Sequence, residues 1–337
     1  MKHLAPDADS DPFGERLACP LRTRVRVLGG VFEFESNSRE LLRLVDVAYQ
    51  GLPAHIEAPA PLRCSIRLLL TRQEGPLDND VPRMTMHAGG GLLCGSMDRA
   101  NFAVVSPGER KALVVVSRNM LRHAYHVRYE LIEFAVYTLA SRAQELVSLH
   151  AACVGRKRRG LLLIGPSGAG KSTLSLHCLK QDMEMVAEDG VFVAPGTLRA
   201  TGIASFLHLP LSSTDLLRES GDDAWICSSP VIRRRNGVEK YEIDLRRTDF
   251  RIARRRPELD GVVFLSKQRA SPRQRGSLLV PLGKSQLLER LQASQPYAAH
   301  QPGWATFRRH IARADAFELR RARHPDEGAD ALRRLVE

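Results

Sequence analysis

Residues 165–173 read Gly165-Pro166-Ser167-Gly168-Ala169-Gly170-Lys171-Ser172-Thr173, which fits the spacing G-x-x-x-x-G-K-[ST]. Glycines at these positions let successive backbone N–H groups turn inward around an anion. The N-terminus of the helix that follows the loop adds roughly half a positive charge at the same point. Lys171 would then reach the terminal phosphates of a nucleoside triphosphate, and the Ser172 hydroxyl would ligate Mg²⁺. A second chemical feature follows closely: Glu188 and Asp189 are adjacent, and Glu188 lies only 17 positions after Lys171. Beside a triphosphate, one carboxylate of such a pair can hold Mg²⁺ while the other accepts a proton from an attacking hydroxyl.

These groups need elements that aim them. Leu161–Ile164 is a continuous apolar run, the pattern of a buried strand, and it leads straight into the glycine-rich loop. Thr173–Lys180 is helix-compatible, and Met183–Ala187 reads as a strand that delivers the two acids. Upstream, His126–Glu145 has the stripe of a buried helix, Leu149–Val154 is a short apolar run, and a basic turn spans Gly155 to Gly160. The first 147 residues are different in character. Val25–Phe34 predicts a hairpin around Gly29-Gly30, Ser38–Tyr49 a capped amphipathic helix, and Cys64–Leu70 a strand. A turn is expected at Gly89-Gly90-Gly91, and paired strands at Phe102–Val105 and Ala112–Val116. The expected organisation is a flexible tail at 1–18, an α+β domain at 19–147 and a nucleotide-binding α/β domain at 148–337.

Composition narrows the class. Of 337 residues, 43% are hydrophobic and 26% charged, ordinary values for a folded protein. The net charge is +12, with +1 in residues 1–150 and +11 in residues 151–337, so the excess belongs to the half that carries the loop. An anionic ligand suits that half. Only 6% of the chain is aromatic and no basic stripe has interleaved rings, which argues against nucleic acid. No apolar stretch is long enough for a membrane span, and the N-terminus lacks the apolar core of a secretory signal. The six cysteines have no Cys-x-x-Cys pair, so neither a zinc site nor a disulfide scaffold is indicated and a reducing cytoplasm is expected. Arg233-Arg234-Arg235 and Arg254-Arg255-Arg256 are short basic clusters. One of these six could stabilise the transferring phosphoryl group, or the clusters could meet a charged peptide.

Taken together, Leu149-His150-Ala151-Ala152, a Gly-bounded turn, LLLIGPSGAGKSTLSLHCLK and MEMVAEDGVFV resemble the C-terminal domain of HPr kinase/phosphorylase, of the superfamily that includes phosphoenolpyruvate carboxykinases. Leu259–Leu265 and the Leu287–Arg323 stretch, ending in short helices, are similar to later parts of such chains. The resemblance covers roughly residues 148–330, with specific motifs in 149–193, and implies an α/β fold of the P-loop kinase type. It implies an enzyme that moves the γ-phosphate of ATP or GTP to a Ser-type hydroxyl on a small protein, a peptide or a small molecule. It further implies His150 near the γ-phosphate or acceptor, Ser172 and Asp189 on Mg²⁺, Glu188 as general base with His150 assisting, and assembly into homo-oligomers. Glu188 departs from the Asp-Asp pair of HPr kinases, and its extra methylene moves the carboxylate by about 1.5 Å. Glu239 and Glu242 are candidates for a further Mg²⁺-contacting acid, and His208 is a further candidate histidine. Two other readings stand beside this one. One is a nucleotide-dependent peptide-binding or chaperone module. The other is a small-molecule kinase of the shikimate or adenylate type, which would carry a lid helix within 246–256.

Overall fold

The computed structural model describes residues 17–57, 60–72, 81–213, 223–270 and 278–337. The expected tail at 1–18 lies outside them up to residue 16. The chain forms a mixed α/β structure of two compact units. One comprises residues up to Arg24, Glu33–Val47 and Ser65–Ala135; the other comprises Val25–Phe32, Ala48–Cys64 and Val136–Glu337.

The N-terminal part of the chain is mostly sheet. Strands β1 (Leu21–Val27), β2 (Gly30–Ser36), β3 (Leu62–Thr71), β4 (Thr85–Gly89), β5 (Leu92–Asp98), β6 (Asn101–Ser106) and β7 (Lys111–Ser117) lie in the order β1-β2-β3-β7-β6-β5-β4. The turn between β1 and β2 is Leu28-Gly29, both with positive φ, so Gly30 opens β2 instead of sharing the turn. Positive φ at both positions is what a two-residue I′ hairpin requires. Helix α1 (Arg39–Tyr49) begins where Ser38 caps it: Leu41 N–H donates to Ser38 Oγ at 3.3 Å. The long helical stripe is present but interrupted. Helix α2 (Ala124–His126) passes through a π-helical stretch at Val127–Ile132 into α3 (Glu133–Ala143).

The second unit is organised around one strand. In β10 (Arg159–Ile164), side chains alternate between two apolar clusters: Leu161 and Leu163 on one side, Leu162 and Ile164 on the other, all buried. The first side is covered by α4 (Lys171–Lys180) and the helix Pro325–Leu335, through Leu174, Leu176, Leu179 and Leu332. The second side is covered by the helices Lys284–Ser294 and Trp304–Ile311, through Leu287, Leu291 and Phe307. Coverage on both faces explains why the strand reads as an unbroken apolar run.

Further along, β8 (Val147–His150), β9 (Ala152–Arg156), β11 (Glu184–Ala187), β12 (Gly190–Val193) and β13 (Ala200–Gly202) precede β14 (Phe206–Pro210), β15 (Val231–Arg233), β16 (Glu239–Asp244) and β17 (Arg251–Ile252). The last strands are β18 (Glu258–Arg269), β19 (Leu279–Pro281) and β20 (Asp315–Arg321). The main sheet has the order β17-β11-β9-β10-β18-β20-β19. Strand β18 is parallel to β10 and to β20, while β9 runs antiparallel to both β10 and β11. Two smaller sheets have the orders β13-β12-β8 and β14-β16-β15.

Two expectations change here. The apolar run Leu149–Val154 is not one strand. It breaks at Ala151, whose N–H donates to Asp189 O at 3.2 Å, and its halves enter different sheets as β8 and β9. The Leu287–Arg323 stretch ends in strand β20 rather than in helices, because Ala316 and Leu319 are needed as buried packing on the sheet.

Candidate active site

The loop between β10 and α4 has the local geometry its glycines allow. Gly168 has φ +78° and Gly170 +94°, left-handed values that side chains rarely adopt. Gly165 is confined for a different reason: a Cβ there would sit 3.1 Å from the Cβ atoms of Ala169 and Leu265. Pro166, Ser167 and Gly168 are exposed at the rim, whereas Ala169, Gly170, Ser172 and Thr173 are half-buried and Lys171 is buried. Lys171 Nζ donates to Gly165 O at 2.6 Å, so its ammonium lies along the loop. Burial pulls the Lys171 pKa down, and Asp189 and Glu188 oppose that shift.

Ser172, in the first turn of α4, donates from Oγ to Glu188 Oε1 at 2.6 Å. Glu188 stands where β11 ends, and its other oxygen, Oε2, is 3.0 Å from His208 Nδ1. His208 Nε2 is 3.4 Å from Glu242 Oε1. These two residues face each other across the β14–β16 ladder, in register His208↔Glu242. The result is a relay, Ser172–Glu188–His208–Glu242, in which the last three residues are buried. Burial alone would raise the Glu188 pKa, but the His208 charge and the hydrogen bonds from His208 and Ser172 prevail and hold it low. Burial would lower the His208 pKa, and the Glu188 carboxylate overrides it and raises it. An imidazolium donating from both nitrogens satisfies both carboxylates.

Asp189 is placed differently. Its side chain is 46% exposed, with Oδ1 3.2 Å from His150 Nδ1 and Oδ2 3.8 Å from Arg234 NH1. His150 ends β8 opposite Gly190 of β12, and its side chain is 61% exposed. Its backbone is gripped from behind by buried Gln295: His150 N–H donates to Gln295 Oε1 at 2.9 Å, and Gln295 Nε2 donates to His150 O at 3.0 Å. Lys240 of β16 joins the same electrostatic neighbourhood. Burial lowers its pKa, as do Arg234 and Lys171, against the pull of Glu188 and Asp189.

The sequence-derived candidates therefore converge only in part. The loop, Lys171, Ser172, Glu188, Asp189 and His150 come together, and so do Arg234, His208 and Glu242. Glu239 is exposed opposite Arg233, away from this cluster. Arg256 is buried in a supporting role, donating to His55 O at 3.0 Å and to Gln144 Oε1 at 3.2 Å. Residues 246–256 contain part of the single 3₁₀ turn Leu245–Arg247 and the two-residue β17, with no lid helix. Lys240 and Gln295 carry no motif; only the pairing of β16 and the packing behind β8 bring them here. Ser172, Glu188 and Asp189 offer hard oxygen donors, the set that suits Mg²⁺.

No family model matches this chain, and no curated protein matches it. Among solved structures it is similar to the HPr(Ser) kinase/phosphatase from Coxiella burnetii. The identity is 14%, over 56% of this chain and 94% of that chain, with a TM-score of 0.28. Among the described residues, no helix is long and apolar enough to cross a membrane.

Proposed function

We propose that the chain is a Mg²⁺-dependent phosphotransferase that moves the γ-phosphoryl group of ATP or GTP to a hydroxyl on a small protein, a peptide or a small molecule. The observation that carries this reading is the different treatment of the two adjacent acids. Glu188 is buried with both oxygens engaged, by Ser172 and by His208. A carboxylate held ionised and fully hydrogen-bonded is a poor proton acceptor but a well-fixed anion beside a cation site. Asp189 is open to solvent and paired with a still more open histidine.

The two acids thus exchange the roles that the family resemblance implies. Ser172 and Glu188 would hold Mg²⁺. Asp189 orients His150, and this pair removes the proton from the attacking hydroxyl as its oxygen bonds to the γ-phosphorus and the bond from that phosphorus to the β–γ bridging oxygen breaks, releasing the nucleoside diphosphate. The backbone of Gly165–Gly170, with Lys171, Ser172 and Thr173, holds the phosphate chain in line. Bound Mg²⁺ supplies charge neutralisation on the phosphate oxygens. Arg234, 3.8 Å from Asp189, is the arginine of the two clusters in reach of developing charge.

The test is transfer from γ-labelled nucleotide to hydroxyl-bearing peptides and small molecules. Asp189→Asn and His150→Gln should each slow transfer by about 10²–10⁴-fold while leaving nucleotide affinity intact. Glu188→Gln should weaken the Mg²⁺ dependence itself. Transfer that survives both dyad substitutions and fails only with Glu188→Gln would reverse the assignment. No product with any acceptor, at full nucleotide affinity, would favour a nucleotide-dependent binding module.

A further inference from the structure

At the end of α4 remote from the loop, His177 meets His324 and Asp326. His177 Nδ1 is 2.6 Å from Asp326 Oδ1, and His324 Nδ1 is 3.1 Å from Asp326 Oδ2. One potential ligand atom from each residue lies within 4.8 Å of the others. The His177 side chain is 0% exposed, against 29% for His324 and 47% for Asp326, so the cluster has a rigid floor and an open mouth.

Both histidines turn Nδ1 towards the Asp326 carboxylate. His324 occupies the N-cap of the helix Pro325–Leu335, where its Nδ1 also accepts from Asp326 N–H at 3.3 Å, a role that Ser, Thr, Asp or Asn serves better. His177 is a buried ring whose Nε2 has no hydrogen-bond partner among the described residues, so Nδ1, facing Asp326, is the nitrogen it offers. Two imidazoles and one carboxylate form a ligand set with a definite preference. Nitrogen donors favour a d-block divalent ion over Mg²⁺, and three protein ligands with an open mouth leave room for a water in the fourth position.

We propose that His177, His324 and Asp326 form a binding site for a Zn²⁺-class divalent cation, separate from the Mg²⁺ site proposed at the loop. Donors on one tetrahedral Zn²⁺ stand about 3.3 Å apart, so Asp326 Oδ1 must draw back from His177 Nδ1 by about 0.7 Å while the widest separation in the cluster contracts by up to about 1.5 Å. His324 and Asp326 are exposed enough to make that movement, while His177 stays fixed. The ion would fasten the phosphate-loop helix α4 to the helix Pro325–Leu335, which already packs on it through Leu174, Leu179 and Leu332. The site would therefore act on stability rather than on the chemical step.

Cobalt(II) is the probe. The full chain, stripped with chelator, is titrated with Co²⁺ and followed by its visible d–d absorption. The expected result is saturation at one equivalent, with intensity typical of tetrahedral Co²⁺ and displacement by Zn²⁺. At hundredfold excess of Zn²⁺ over Kd, the thermal midpoint should rise by roughly 5 °C. His324→Gln and Asp326→Asn should each weaken Co²⁺ binding at least tenfold and abolish the thermal shift, with an unchanged circular dichroism spectrum. Asp326 is nearly half exposed, so Asp326→Asn decides the matter should His324→Gln fail to fold. The proposal is overturned if the wild type gives no d–d bands. It is equally overturned if the bands persist at full strength in Asp326→Asn, which would place the ion elsewhere.

Discussion

Replacing His208 by Gln isolates the electrostatics behind the two acids. In the wild type, a buried imidazolium stands between Glu188 at 3.0 Å and Glu242 at 3.4 Å. Gln keeps one amide donor but removes the charge, which leaves two buried carboxylates without a cation between them. Breaking a buried ion pair from one side costs about 3–5 kcal/mol, and that is the expected loss at pH 7. The pH dependence gives the argument its sign. In the wild type, Glu188 is depressed from its ordinary 4.5 to about 2, so its contribution to stability is present above 4.5 and is lost as pH falls towards 2. His208 is raised above 6.5, so its contribution is full below 6.5 and is lost as pH rises through the folded-state value. In the variant, the His208 charge and hydrogen bond no longer oppose burial, so the Glu188 pKa rises from its depressed value, with Ser172 and Arg234 still pulling it down. The folded variant then takes up a proton at a higher pH than the folded wild type does. The gap between the two proteins should therefore close on acidification, by about 1.4 kcal/mol per pH unit below the new pKa. Urea unfolding at pH 7, 6, 5 and 4 measures this directly. A loss under about 1 kcal/mol at pH 7, or a loss that does not change with pH, would refute the buried ion pair.

Other consequences are more local. Gly170→Ala places a side chain at φ +94°, and because the added Cβ meets nothing within 4 Å the cost is backbone strain alone. Chemical denaturation should show a loss of about 1–2 kcal/mol, with weaker nucleotide binding as the loop relaxes. Gln295→Ala removes both hydrogen bonds that hold the His150 backbone. Transfer should slow while calorimetric binding of the magnesium nucleotide stays as in the wild type; equal loss of both would show that Gln295 merely supports the fold.

The parts of the site that lie close together in sequence could be read from it. A strand, a glycine-rich loop and a helix sit within residues 159–180, and the strand carrying Glu188-Asp189 follows at once, so spacing alone fixes their order. The parts that depend on strand pairing could not. His208 and Glu242 are 34 positions apart and meet only because β14 and β16 pair in one register. Gln295 reaches His150 across 145 positions, through a helix that could as well have packed elsewhere. The apolar run Leu149–Val154 has one hydropathy but two destinations, because the hydrogen bond from Ala151 N–H to Asp189 O turns the chain between sheets. Segments 25–32 and 48–64 join the second compact unit although nothing in their composition sets them apart from their neighbours. One such tie is buried His55, whose ring contacts Thr201 Oγ1 and Ala253 O, both at 2.7 Å.

In the proposed function, the turn 165–170 and Lys171 grip the phosphates of a magnesium nucleotide. Isothermal titration of the full chain with MgATP and MgGTP tests that grip. The expected result is a saturable one-to-one heat with at least one of them, lost in Lys171→Ala while that variant keeps its fold. No heat with either nucleotide, or the same heat in Lys171→Ala, would contradict it.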